Sequence, residues 1–109
     1  MILKFDSMEE KVNPKFNGGE GVFKANMLVD ERNKILRGKL EPGCSIGYHK
    51  HDTSSEIIYV LSGTGKMLIE DGEERLNAGD CHYCMKGQSH SFINDSDEDL
   101  IFFAVVPQQ

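Results

Sequence analysis

The feature that most restricts the fold of this chain is the rhythm of its turn residues. Nine short apolar stretches follow one another with glycine, proline, asparagine or aspartate between them, and none sustains a helical period. Val22–Val29, Ile35–Leu40, Ser45–His51, Glu56–Leu61, Lys66–Glu70, Glu73–Leu76, Cys81–Met85, Ser89–Ile93 and Leu100–Val106 read as strands. Asp71-Gly72 suits a type I′ hairpin, Pro42-Gly43 and Lys86-Gly87 suit tight turns, and Asn94–Asp99 is a polar hairpin loop. Only Ser7–Val12 hints at a helix. Strands at this spacing predict an all-β sandwich or barrel.

The 109 residues suffice for one domain with its own core. Met1–Gly21 differs from the rest: it is polar and broken by Asn13-Pro14 and Asn17-Gly18-Gly19. It reads as an arm or edge strand, packing on a second subunit, or as a partly ordered terminus; residues 22–109 form the single barrel. A homodimer is expected, since a small open-ended barrel leaves edges to cover.

A formal net charge of -6 opposes binding to phosphate backbones and anionic lipid surfaces, so neither nucleic acid nor membrane is an expected partner. The first twelve residues lack the apolar run of a signal peptide, and no later run has the length of a membrane span. Three cysteines do not suggest a disulfide framework, which fits a reduced, cytoplasmic setting.

Chemistry concentrates at His49-Lys50-His51. Residues i and i+2 of a strand project from one face, so both imidazoles aim at one point, while Tyr48 and Lys50 face away. Glu56 opens the next strand and can add a carboxylate oxygen, with Ile58 and Val60 behind it on the same face. His90 and Phe92 share a face in a later strand. A His-x-His pair alone is more often a surface feature. Here, however, three of the four histidines fall on these positions.

The stretch from Gly43 through His49, His51 and Glu56 to Gly63 resembles the first motif of the cupins: a glycine, five residues, His-x-His, a glutamate and a glycine. Gly79 to Asn94, containing Gly87 and His90, resembles the second, with Met85 where the family usually has proline. The resemblance implies a double-stranded β-helix (jelly-roll) cupin barrel holding one divalent metal ion on His49, His51, Glu56 and His90. Three imidazoles and one carboxylate suit manganese, iron or nickel, with zinc as the alternative.

The resemblance further implies a small oxygen-rich substrate, carboxylate or sugar-like, and isomerase, lyase or dioxygenase chemistry. The alternative is a non-catalytic small-molecule binding or sensing module. Glu56 and an inward His82 are the candidate catalytic residues, His82 by its near-neutral titration. Arg37, Lys39 and Lys66 are candidate cations for an anionic ligand. An oxalate-decarboxylase type would carry a pocket arginine just upstream of His49, where this chain has Ile46. Cys81 and Cys84 imitate a redox pair, but i and i+3 of a strand face opposite sides.

Overall fold

The computed structural model describes residues 1–109. Its strands are β1 Lys11–Pro14, β2 Val22–Val29, β3 Asn33–Leu40, β4 Ser45–Lys50, β5 Glu56–Ser62, β6 Thr64–Ile69, β7 Gly72–Asn77, β8 Cys81–Cys84, β9 Ser89–Ile93 and β10 Leu100–Pro107. They form a six-stranded sheet in the order β1-β2-β3-β10-β5-β8 and a four-stranded sheet in the order β4-β9-β6-β7, all neighbours antiparallel. This is the all-β architecture expected from the strand spacing, and the jelly roll that the cupin resemblance implies. No helix is long and apolar enough to cross a membrane.

Alternation explains the burial on β3, β5, β8 and β10. On β5 Glu56, Ile58 and Val60 are buried while Ile57, Tyr59 and Leu61 are exposed. On β8 His82 and Cys84 are buried, and Cys81 and Tyr83 are exposed, so the two cysteines do lie on opposite faces. The inward residues meet in a core of Phe23, Leu36, Leu40, Ile58, Val60, Met67, Phe92, Leu100 and Phe102 among others. Phe102 stacks on Phe23 with ring centres 6.0 Å apart and meets Phe92 edge-on at 5.2 Å. Gly63 marks one barrel corner: its φ is 89°, and a side chain there would press on the Asp99 carbonyl oxygen at 2.5 Å.

Two local expectations are corrected. Ser7–Val12 is not helical: a 3-10 turn covers Phe5–Ser7, and Lys11–Pro14 is instead the edge strand β1, paired with β2 of the same chain. Short polar segments carry little intrinsic preference, and here the open edge of β2 decides. The β6–β7 hairpin turns on Glu70 and Asp71, since Ile69 pairs with Gly72. Neither turn residue has positive φ, which rules out type I′; Gly72, with φ 152°, absorbs the unusual geometry instead.

Candidate metal centre

Three strands and one loop bring four donors together. His49 lies on β4, opposite His90 of β9, and Glu56 begins β5. His51 sits just past β4, held by backbone bonds from its N–H to Gln88 and from Gly87 to its carbonyl. His51 Nε2 stands 3.1 Å from His49 Nε2, 3.1 Å from His90 Nε2 and 3.2 Å from Glu56 Oε1, and His90 Nε2 is 2.9 Å from Glu56 Oε1. All four donor atoms lie within 4.8 Å of one another.

A β-bulge makes this convergence deeper than simple alternation allows. The β4–β9 register slips between Ile46, opposite Phe92, and His49, opposite His90. The extra residue lets Ile46 and His49, three apart, both face the interior.

The donor set fits a metal ion. Three imidazole nitrogens and a carboxylate oxygen, with neighbouring atoms 2.9–3.2 Å apart, are close enough for one ion to be held by all four. Each imidazole is also tethered by its other nitrogen: His49 Nδ1 to the Gly47 carbonyl at 2.7 Å, His51 Nδ1 to Ser54 Oγ at 2.9 Å, and His90 Nδ1 to His82 Nε2 at 3.1 Å. Such tethers point the Nε2 lone pairs inward, as metal-binding histidines require.

Electrostatics agree. Burial pushes the Glu56 carboxyl up, but hydrogen bonds from His51 and His90 together with their charge outweigh it and bring it down to about 2. Burial lowers His49 below the ordinary histidine value, against the raising effect of the Gly47 carbonyl, and so favours the neutral, ligating ring. Burial likewise lowers His82, opposed by its bond to Glu74. The Cys84 thiol, near Glu56 and Glu70, is raised to about 11, mostly by burial, and is a poor nucleophile.

His49, His51 and Glu56 open onto a cavity of about 180 Å³ walled by Phe16, Phe23, Met27, Leu36, Ile46 and Val106, with exposed Asn17 and Lys34 at its mouth. None of the cations expected from sequence lines it. Arg37 and Lys39 lie on the other face of β3, where Arg37 bonds Asp6 at 2.7 Å, and Lys66 lies 3.9 Å from Glu73. Lys34 shares the inward parity of Leu36 and Leu40, because β3 begins at Asn33, two residues before the expected start at Ile35. His82 is buried behind His90 and lines a different cavity, with Glu74 and Cys84.

Two antiparallel sheets enclosing a three-histidine, one-glutamate cluster are the architecture of a cupin. The chain belongs to that family: the cupin domain model matches residues 36–106. It is similar to the oxalate-binding protein of Thermotoga maritima, with 35% identity over 97% of this chain and 93% of that one. The crystal structure of a predicted oxalate decarboxylase from Thermotoga maritima superposes with a TM-score of 0.94 at 30% identity, each chain covered fully (100%). The pectin degradation protein KdgF of Dickeya dadantii is 26% identical over 56% of each chain.

Proposed function

We propose that the chain binds a small carboxylate of oxalate-like size at a divalent ion held by His49, His51, Glu56 and His90. The observation that carries this reading is the cavity: about 180 Å³, floored by the converging donors and carrying one cation, Lys34, at its mouth. That volume is well below the roughly 300–1,000 Å³ of pockets for drug-sized ligands, so a ligand of few heavy atoms suits it. A bound ion supplies Lewis acidity toward ligand oxygens. Because Glu56 is the only anionic donor, the centre keeps a net positive charge that an anionic ligand balances. The apolar walls exclude water and strengthen both attractions.

The names given to the Thermotoga maritima matches point to oxalate. Ile46 faces the cavity where a decarboxylating cupin would be expected to carry arginine, which favours binding over decarboxylation. Isomerase, lyase or dioxygenase turnover is the second reading, favoured by the coordination positions that four donors leave open on an octahedral ion. In that reading Glu56 sets the charge of the centre, and His82 acts from behind His90.

Calorimetric titration of the manganese-loaded protein with oxalate and with xylose tests the ligand class. Oxalate is expected to bind, and to stop binding once a chelator has removed the metal. Lys34→Ala should weaken oxalate about two- to fivefold, the scale of an exposed ion pair. Binding of xylose but not oxalate, or oxalate binding indifferent to metal, overturns the proposal.

The homodimer reading finds its support on the outer face of the larger sheet. Ile57, Tyr59 and Leu61 of β5 adjoin Tyr83 and Met85 at the β8 edge, all exposed. An apolar patch of this kind marks an interaction surface. Sedimentation at micromolar concentration should give a dimer for the wild type and a monomer for Tyr59→Lys/Tyr83→Lys; a monomeric wild type refutes the reading. The three free cysteines suit the reducing cytoplasm.

A further inference from the structure

On the side of His90 away from the ligand cavity, a second line of polar atoms leads out to solvent. His90 Nδ1 lies 3.1 Å from His82 Nε2, and His82 Nδ1 lies 2.9 Å from Glu74 Oε1. Both rings are buried, His82 with 6% and His90 with 2% exposure. The Glu74 side chain is 48% exposed, at an open cavity of about 440 Å³ that His82 also lines. The topology builds this line from three strands: β9 carries His90, β8 carries His82, and β7 carries Glu74.

Only one proton assignment satisfies every atom in the line while leaving a lone pair for an ion. With Nε2 facing the other donors, the neutral His90 ring carries its proton on Nδ1. That proton is donated to His82 Nε2, which must therefore be bare, so the His82 proton sits on Nδ1 and is donated to the Glu74 carboxylate. The two rings, 24° from parallel with centres 5.3 Å apart, meet edge to edge through this bond, which holds the plane of His90 against turning.

We propose that His82 and Glu74 are positioning residues, a relay that fixes the tautomer and orientation of His90 for metal binding; this rests on the metal reading above. His49 and His51 are tethered to a carbonyl and a hydroxyl, whereas His90 alone depends on a further imidazole with its own anchor. The same region offers a competing use. His82, Cys84 and His90 present ligand atoms within 4.8 Å of one another, as a second cation site would. That use requires His90 to give up its remaining ring proton and serve two ions, so the hydrogen-bonded arrangement is favoured.

The test combines zinc affinity, measured against a chromophoric chelator, with nitrogen-15 NMR of the histidine rings in the zinc-loaded protein. His82→Phe should raise the zinc Kd about 10- to 100-fold, the usual effect of removing an outer partner of a ligand. Glu74→Gln keeps an acceptor oxygen and should stay within about threefold, with Glu74→Leu weaker than Glu74→Gln. In the wild type, His82 and His90 should both carry their ring proton on Nδ1, a readout that needs no variant to fold. A proton on His82 Nε2, an unchanged Kd in folded His82→Phe, or a second zinc lost with Cys84→Ala overturns the relay while leaving the four-donor site standing. A wild type that takes up no divalent metal overturns the site and the relay together.

Discussion

His90→Ala is expected to abolish metal binding, and His49→Ala to do the same, in a protein that otherwise holds about one divalent ion per chain. His90 joins the donor cluster to the polar atoms behind it. Its Nε2 stands 3.1 Å from His51 Nε2 and 2.9 Å from Glu56 Oε1, while its Nδ1 meets His82. Truncation leaves three donors, an emptied position beside the buried Glu56 carboxylate, and a His82 ring with one partner fewer. Metal analysis after dialysis reads the loss directly. Melting reads it independently, because an ion that binds only the folded chain adds about 2.7 kcal/mol at one hundred times its Kd. That increment should vanish in His90→Ala. Stoichiometric metal in both variants would refute the assignment. Glu56, with its carboxyl at about 2, is ionised throughout the working range. His49 is depressed in the fold, so the metal-free unfolded chain gains protons first as pH falls below about 6.5. Folding therefore weakens on acidification through that window and recovers as pH rises.

The features legible in sequence were those set by a period of two. Val22–Val29 and Ser89–Ile93 were bounded as observed, and His49, His51, Glu56 and His90, assigned through alternation and the cupin resemblance, are brought to one place. The features that escaped depend on breaks in that period or on contacts far apart in the chain. Alternation carried back from His49 puts Ile46 on the outer face; the bulge between them reverses it. Lys34 escapes a strand begun at Ile35, because β3 starts two residues earlier, at Asn33. Arg37 and Lys39, candidate cations by charge alone, alternate with the inward Leu36 and Leu40 and so fall on the opposite face. Glu74 lay in a polar hairpin strand whose only inward marker was Leu76, two residues on, and nothing local announced its bond to His82. The turn at Glu70-Asp71 shows the same limit, since a one-residue shift in the pairing changes which residues must bend.

The segment before β2 depended on a long-range fit that involves Gly47, and this residue supplies the second large effect. Residues 15–21 cross β4 so closely that a side chain on Gly47 would overlap the Asn17 carbonyl and sit 2.8 Å from the Gly19 nitrogen. Gly19 in turn lies against the backbone of Ser45 and Gly47. These neighbours are backbone, so no change of rotamer relieves the overlap. The crossing is pinned by bonds from Ser45 N–H to the Glu20 carbonyl and from Glu20 N–H to Ser45 Oγ, both 2.9 Å. It is also strained at Lys15, whose left-handed conformation at φ 48° costs about 1–2 kcal/mol, whereas Asn17 at 53° is a residue type that adopts that region readily. Gly47→Ala should therefore displace the segment rather than compress it, lowering stability by about 1–3 kcal/mol and the melting temperature by roughly 4–8 °C per kcal/mol. Phe16 and Asn17 would leave the cavity they line, and the Gly47 carbonyl would shift under His49 Nδ1. Limited proteolysis should then cut within residues 13–21 of the variant, and metal affinity should fall with the lost tether. A variant that melts with the wild type and resists the protease would show that β4 yields instead, and that the segment is no part of what holds the ligand cavity closed.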